Sequence, residues 1–521
     1  MVPLWGQFEA AFQGPEDGNP FLDIDLSAVF RNGDQTITVP GFYDGDGQYL
    51  VRFMPEHEGE WTFETHSNHD ALNGRVGAFS VGPATKGNRG PVRVADKHYF
   101  GFGDGTRFFP FGTTAYAWNH QGEEMEQETL ATLKASPFNK IRMCVFPKHY
   151  RYNEVEPETY PFKLLQKGES KWGGDNPVDG WEFDFDQFKP AYFRHLETRI
   201  LDLAEIGVQA DLILLHPYDR WGFANMSSEQ DDRYLRYVVA RLASLPNVWW
   251  SMANEYDFMN NKSLSDWDRM IDVVATSDPT GHLLSIHNGF EFYDAKNPQV
   301  THGSIQRGDT TRAAYFRKEC GKPIMVDECG YEGNIPEWWG NISGLELVHR
   351  IWSGTVNGGY VTHGESFLDP DDKLWWGKGG HMVGESVSRI AFLKRLMEEG
   401  PSAGLEPMTH SGTYQMAVAG GVDNVTLGEL IGPNPGEEDW APVSSMYPSA
   451  GQAHEYYLTY FGQNQPSQYA AVVPPDEEYS ATLIDIWDMT EEPLGQNVRR
   501  GDVLNFTQRP YQALVLKRIT A

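Results

Sequence analysis

Asn247-Val248-Trp249-Trp250-Ser251-Met252-Ala253 runs without a charge into Asn254-Glu255, and Pro323-Ile324-Met325-Val326-Asp327 runs into Glu328. A short apolar run closed by polar residues reads as a buried strand. A carboxyl at the end of such a strand stands where a (β/α)8 barrel carries its catalytic groups. Two such carboxyls, on strands that curve toward one another, are the groups needed to break a glycosidic bond.

Around these two runs, residues 91–402 alternate short apolar segments with amphipathic helices. The strand candidates are Phe108-Phe109-Pro110-Phe111-Gly112, residues 140–145, residues 210–215 and the Trp249 run. Leu283-Leu284-Ser285-Ile286, the Val300 region, Ile324-Met325-Val326 and Gly359-Tyr360-Val361-Thr362 complete the set. Phe193, Leu196, Ile200 and Leu203 mark one face of a helix, and Leu235, Val238, Val239 and Leu242 mark another. Gly207 is a natural stop for the first. Strands and helices in this rhythm predict an α/β fold, a (β/α)8 barrel with Glu255 after the fourth strand and Glu328 on the seventh. A doubly wound sheet is the structural alternative, but Gly101-Phe102-Gly103-Asp104-Gly105 lacks the spacing of its Gly-rich first turn.

Residues 1–90 read as an N-terminal β-sandwich and linker. Tyr49-Leu50-Val51-Arg52-Phe53 alternates, Glu58-Gly59-Glu60-Trp61-Thr62-Phe63 repeats the pattern, and Asp44-Gly45, Asp46-Gly47 and Asn73-Gly74 punctuate. Residues 403–521 read as a second, C-terminal β-sandwich, with residues 481–487 and 511–516 strand-like.

Composition narrows the partners. A formal net charge of −31 repels nucleic acid and anionic membranes and favours a neutral substrate, although solubility alone also explains it. The 16 Trp, 24 Tyr and 29 Phe exceed the needs of a core and suit stacking on sugar rings. Cys144, Cys320 and Cys329 form neither a disulfide framework nor a metal-binding spacing. No window reaches about 18 consecutive apolar residues, the length of a membrane helix. The opening Met1-Val2-Pro3-Leu4-Trp5-Gly6 has no basic n-region or apolar h-region, so a cytoplasmic location is expected.

A single strand-end glutamate is readily explained as half of a structural ion pair. A pair at the fourth and seventh strands of one barrel is better explained by retaining hydrolysis. That reaction needs an acid/base carboxyl and a nucleophilic carboxylate about 5–5.5 Å apart. Trp250-Ser251-Met252-Ala253-Asn254-Glu255 with Val326-Asp327-Glu328 resembles the clan-A glycoside hydrolases, particularly the cellulase-like family 5 enzymes and the apiosidase-like family. The stretch from Asp184-Phe185-Asp186 through Tyr192-Phe193 to Gly207 is similar to the apiosidase-like group as well. The resemblance implies Glu255 as acid/base, Glu328 as nucleophile, Arg142 as the cation beside the nucleophile, and Asn254 as the hydrogen-bonding partner of the sugar 2-hydroxyl. It also matches His216 and His302 to histidines after the third and sixth strands. Three departures weaken any transfer of cellulase specificity. Tyr256 follows Glu255 where family 5 has proline, Ser304 replaces a tyrosine, and the eighth-strand tryptophan must come from Trp375 or Trp376.

Tyr116 and Trp118 after the first strand, and Trp221 after the third, are expected on the same rim as substrate-stacking rings. The long segment 148–186, with Trp172-Gly173-Gly174, and the loop 365–381 should enclose a pocket suited to exo-action. The expectation is a retaining glycoside hydrolase acting on a neutral carbohydrate, with no metal or organic cofactor. Its rivals are a transglycosylase using the same pair, a non-catalytic carbohydrate-binding protein, and a metal-dependent hydrolase assembled on His287, His302 and His363.

Overall fold

Asp46-Gly47, both at positive φ (51° and 69°), join the strands Gln35–Gly45 and Gln48–Phe53 in a tight hairpin. In this computed structural model the hairpin belongs to a seven-stranded N-terminal sheet. Its order is Val2–Pro3, Val76–Gly82, Gly59–Ser67, Leu26–Asn32, Gln35–Gly45, Gln48–Phe53 and Phe8–Gln13. Alternation along Leu26–Asn32 buries Leu26, Ala28 and Phe30, which pack with Phe53, Trp61 and Phe63. The structure describes all residues except 169–179, 371–373, 402–403, 408–413, 419–420, 426–446, 472, 475 and 520–521. The expected Trp172-Gly173-Gly174 feature lies outside the described residues.

The chain gathers into two compact units: Met1–Asp96 with Phe100–Ser304 and Asp369–His381, and Lys97–Tyr99 with Ile305–Leu368 and Met382–Ala521. The first unit holds, beside the N-terminal sheet, a five-stranded parallel sheet. Its strands are Gly112–Thr114, Lys140–Cys144, Gln209–Leu215, Val248–Ala253 and Leu284–Ser285, in sequence order. A parallel bridge joins His287 to Ser304. In the second unit Ile324–Glu328 pairs in parallel with Gly359–Val361.

The expected helical faces are the buried ones. Pro190–Glu205 buries Phe193, Leu196, Ile200 and Leu203, and Gly207 beyond its end has φ +77°. Ser228–Leu242 buries Leu235, Val238, Val239 and Leu242 and starts on a Ser227/Gln230 capping box.

Two strand expectations shift. The run 108–112 is not one strand, because Pro110 has no N–H to donate. Arg107–Phe108 instead pairs antiparallel with Tyr99–Phe102, and the parallel strand starts at Gly112. The strand expected around Val300 begins at Gly303.

Within the first unit the N-terminal sheet is tied to the helices by buried ion pairs. Arg241, wholly buried, reaches Asp44 at 2.7 Å and Glu197 at 2.6 Å, and Arg52 reaches the same Glu197 oxygen at 2.9 Å. Phe21 wedges edge-on among Tyr43, Phe188 and Tyr237.

In the second unit a six-stranded antiparallel sheet runs Glu406–Pro407, Ser449–Gln452, Tyr456–Tyr460, Gln512–Arg518, Tyr479–Asp485 and Thr490–Val498. Trp352 and His349, on helix Gly344–Val356, pack against Tyr460, and the Tyr460 hydroxyl lies 2.8 Å from His349 Nδ1. Among the described residues no helix is long and apolar enough to cross a membrane.

Candidate active site

The fourth strand, Val248–Ala253, is buried at every position. Its ladder extends one residue further, where the Asn254 N–H donates to Leu215 O at 3.0 Å. Glu255 then leaves the strand in the left-handed region, at φ 51° and ψ 56°. A non-glycine residue held there costs about 1–3 kcal/mol, and such strain collects at functional sites. The next N–H, of Tyr256, donates to His287 O at 3.0 Å, so the turn is held on both sides.

Glu255 is 6% exposed. Its Oε2 accepts from Asn254 Nδ2 at 3.0 Å and from the Tyr218 hydroxyl. The Asn254 amide is oriented by its other end, where Oδ1 accepts from the Tyr116 hydroxyl at 3.1 Å and from Arg142 Nη2 at 3.3 Å. Arg142 lies inside the second strand, wholly buried, with Nε 3.7 Å from Asp211 on the third. Lys140 shares that carboxylate at 2.7 Å.

The Lys148 ammonium, on a residue 2% exposed, lies among four rings. They are Tyr116 at 3.6 Å, Tyr218 at 4.2 Å, Tyr150 at 4.8 Å and Trp376 at 5.5 Å. Trp376 reaches this cage because its own carbonyl accepts from Tyr116 N–H at 3.0 Å, and Gly377 O accepts from Ala117 N–H at 2.9 Å. Its neighbour Trp375 turns the other way and donates from Nε1 to Thr113 Oγ1 on the first strand at 2.8 Å. Trp376 is therefore the ring brought toward Glu255, and Trp375 is core.

The remaining expected residues separate. His216 stands 6.4 Å ring to ring from Tyr218, with Nε2 3.2 Å from Phe146 O. Burial, and then the Lys148 charge, push its imidazole down to about 3. Trp221 stacks on Phe223 and donates to Glu156 at 2.8 Å, while its backbone is held by Asp219. Burial pushes the Asp219 carboxyl up to about 6, against four backbone N–H groups that favour its charge. Trp118 is wholly buried, and a Cβ added at Gly379 would stand 3.0 Å from its own Cβ. His302 packs edge-on against Phe100 and Trp249. Trp249 is the second residue of the fourth strand, on the order of 13 Å from Ala253 at the strand rise, so His302 sits at the opposite end from Glu255. A lone histidine beside a strand can face either end, and this one is a packing residue.

A pocket of about 320 Å³ opens at the turn that follows Glu255 in the chain, lined by residues that include Tyr256, Phe258, Trp267 and Phe290 but not by Glu255 itself. The Asp257 carboxylate takes the N–H groups of Gly289, Phe290 and Glu291 at 2.5, 2.6 and 2.9 Å, and Phe290 is left 85% exposed.

In the second unit Glu328 is the last residue of Ile324–Glu328 and is 9% exposed. Its carbonyl accepts from Arg307 N–H at 2.8 Å. Asp327 before it accepts from the Thr362 hydroxyl at 2.9 Å, and burial pushes the Cys329 thiol after it up to about 12. Tyr331 fills the space over Gly364, where an added Cβ would stand 2.2 Å from its ring. Glu332 and Glu365, both buried, take the N–H groups of Val383, Gly384, Glu385 and Ser386 ahead of helix Ser386–Glu398. They are anchors of that helix start. Among the described residues no group of three His, Cys, Asp or Glu side chains could hold a metal ion.

Tyr218, Lys148 and Tyr150 were absent from the sequence expectations. Tyr218 had a signal, standing two residues past His216 across Pro217. Lys148 and Tyr150 lie in an irregular segment, where spacing does not say which way a side chain points.

Comparison with known proteins identifies the family. The apiosidase-like catalytic domain family matches residues 94–364. Residues 1–68 match a domain of unknown function, DUF5060, and residues 446–517 match another, DUF5605. A crystal structure from Bacteroides vulgatus ATCC 8482, assigned to the glycoside hydrolases, is 38% identical, with 99% of each chain covered and a TM-score of 0.86. A family 5 glycoside hydrolase of the same organism is 15% identical, covering 82% of this chain and 93% of its own, with a TM-score of 0.59. A further glycoside hydrolase covers 82% of this chain and 97% of its own at 15% identity and a TM-score of 0.58. These last two show likeness of fold, and the catalytic domain is barrel-like. No curated protein matches. The chain belongs to the apiosidase-like catalytic-domain family and is a glycoside hydrolase.

Proposed function

We propose that this protein is a retaining, exo-acting glycoside hydrolase of neutral oligo- or polysaccharides, with Glu255 as acid/base and Glu328 as nucleophile on a complete (β/α)8 barrel. The observation that carries the reading is the setting of Glu255. It is a buried carboxyl in a strained turn after the fourth strand, with its Oε2 held by Asn254 and Tyr218. Glu328, ending a buried strand, is the matching carboxylate.

In the first step the Glu255 carboxyl gives its proton to the glycosidic oxygen, which departs as an alcohol. The Glu328 carboxylate meanwhile forms a bond to the anomeric carbon. In the second, water attacks that carbon, Glu255 takes the water proton, and Glu328 leaves as a carboxylate. Asn254 has a second Nδ2 hydrogen for the sugar 2-hydroxyl. Arg142 is read, from the resemblance to the clan-A enzymes, as the cation beside the nucleophile. Trp376 and Tyr150, edge to face, are read as an aromatic wall for a sugar ring, and a walled site suits a chain end. The sheets within residues 1–90 and 403–521 are read as accessory β-sandwiches.

The test is Glu328→Gly assayed on aryl glycosides chosen by a panel of furanosides and pyranosides. Turnover is expected to vanish and to return in part with azide, which fits the space left by the side chain. Undiminished turnover without azide would overturn the assignment.

A further inference from the structure

Why bury a lysine in a cage of rings? Taking an ammonium out of water costs several kcal/mol unless the surroundings repay it, and an apolar side chain would fill the same cage without that cost. The faces of Tyr116 and Tyr218, 3.6 and 4.2 Å from Lys148 Nζ, stabilise the cation. The same two rings carry the hydroxyls that end on the acid/base pair. Tyr218 donates to Glu255 Oε2, and Tyr116 donates to Asn254 Oδ1 at 3.1 Å.

We propose that Lys148 sets the ionisation of Glu255, acting through the Tyr218 hydroxyl. A cation over a phenol ring draws electron density from it and makes its O–H a stronger donor. A stronger donor to a carboxylate favours the charged form and lowers the carboxyl pKa. In a buried site this acts with little screening. The Lys148 charge is felt at His216 beside Tyr218, where it adds to burial in disfavouring the protonated ring. Lys148 is thus a positioning residue. Resting on the proposed roles, its effect is to favour the ionised Glu255 that takes the water proton in the second step.

Other groups face this cluster from each neighbouring element. Arg142 comes from the second strand, with His149 and Tyr150 from the segment after it. His149 N–H donates to Tyr218 O at 3.0 Å, and burial, then Arg220, push its ring down to about 4. His216 comes from the end of the third strand and His287 from beyond the fifth, where its carbonyl holds the Tyr256 N–H. Arg142 is the second cation, so it stays in place while Lys148 is varied.

The experiment is a pH titration of the full chain by difference infrared spectroscopy. The carbonyl stretch of protonated Glu255 is identified as the band lost in Glu255→Gln. In Lys148→Met its midpoint should rise by about one unit, and Lys148→Arg should restore it. Tyr218→Phe should also raise the midpoint, and Lys148→Met should add little on that background. An unmoved midpoint in folded Lys148→Met, or shifts that simply add, would overturn the proposal. Lys148→Gln carries the same test if the methionine variant does not fold. No substrate is needed, so the outcome is separate from that of Glu328→Gly, which tests the glycosidase roles.

Discussion

Asn254 is the most constrained side chain around Glu255, because its two ends serve different masters. Its carbonyl oxygen satisfies Tyr116 and Arg142, and its amide nitrogen holds Glu255. Asn254→Ala should take an acceptor away from two buried donors and loosen the acid/base carboxyl, lowering kcat/KM by about two orders of magnitude. Steady-state kinetics with a cleaved aryl glycoside would measure this, and wild-type values would contradict it. The adjacent tryptophans should divide cleanly. Trp375→Ala removes core packing against the first strand and should cost about 3–5 kcal/mol in denaturant unfolding. Trp376→Ala should act mainly on catalysis, through the cage it shares with Tyr116, Tyr150 and Lys148.

At the scale of elements, the loop after the fifth strand depends on one carboxylate. Asp257→Ala removes the acceptor for three successive N–H groups, and should cost about 1–3 kcal/mol and speed amide exchange at 289–291. Unchanged protection there would contradict the role given to Asp257. How much was legible in the sequence follows from the physics of each element. The fourth and seventh strands announce themselves because full burial on both faces demands an unbroken apolar run. The two helices do so because one buried face imposes its period. The first strand was misread because hydrophobicity alone cannot show that Pro110 divides a run into two pairings. His302 was misplaced because nothing local says which end of a strand a flanking ring will face. Glu255, Asn254, Arg142 and Tyr116 were readable as strand-end or strand residues. Lys148 and Trp376 come from irregular segments whose backbone pairing, such as Tyr116 N–H to Trp376 O, is set by tertiary contact.

At the scale of the molecule, the N-terminal sheet is part of the first compact unit. Removing residues 1–82 would strip Asp44 and Arg52 from the buried network and leave Arg241 short of a partner charge. Breaking such a network costs about 3–5 kcal/mol, so the truncated chain should be recovered unfolded or insoluble. A well-folded truncation product would contradict this. Buried histidines set the acid limit. His120, His216 and His363 are pushed by burial from 6.5 to about 3, so the unfolded chain binds protons that the folded chain refuses. Their contribution is intact above about pH 6.5 and is lost progressively as pH falls toward 3. Thermal unfolding followed from pH 7 down to 4 should show that decline, and a flat profile would count against it. The central claim remains the chemical one, that Glu328 attacks the anomeric carbon while Glu255 handles the proton. Its most direct test is to trap the glycosyl-enzyme with a 2-deoxy-2-fluoro glycoside of the cleaved sugar and map the modified peptide by mass spectrometry. The account predicts one label, on Glu328; a label on another residue, or inversion at the anomeric carbon with no trapped ester, would contradict it.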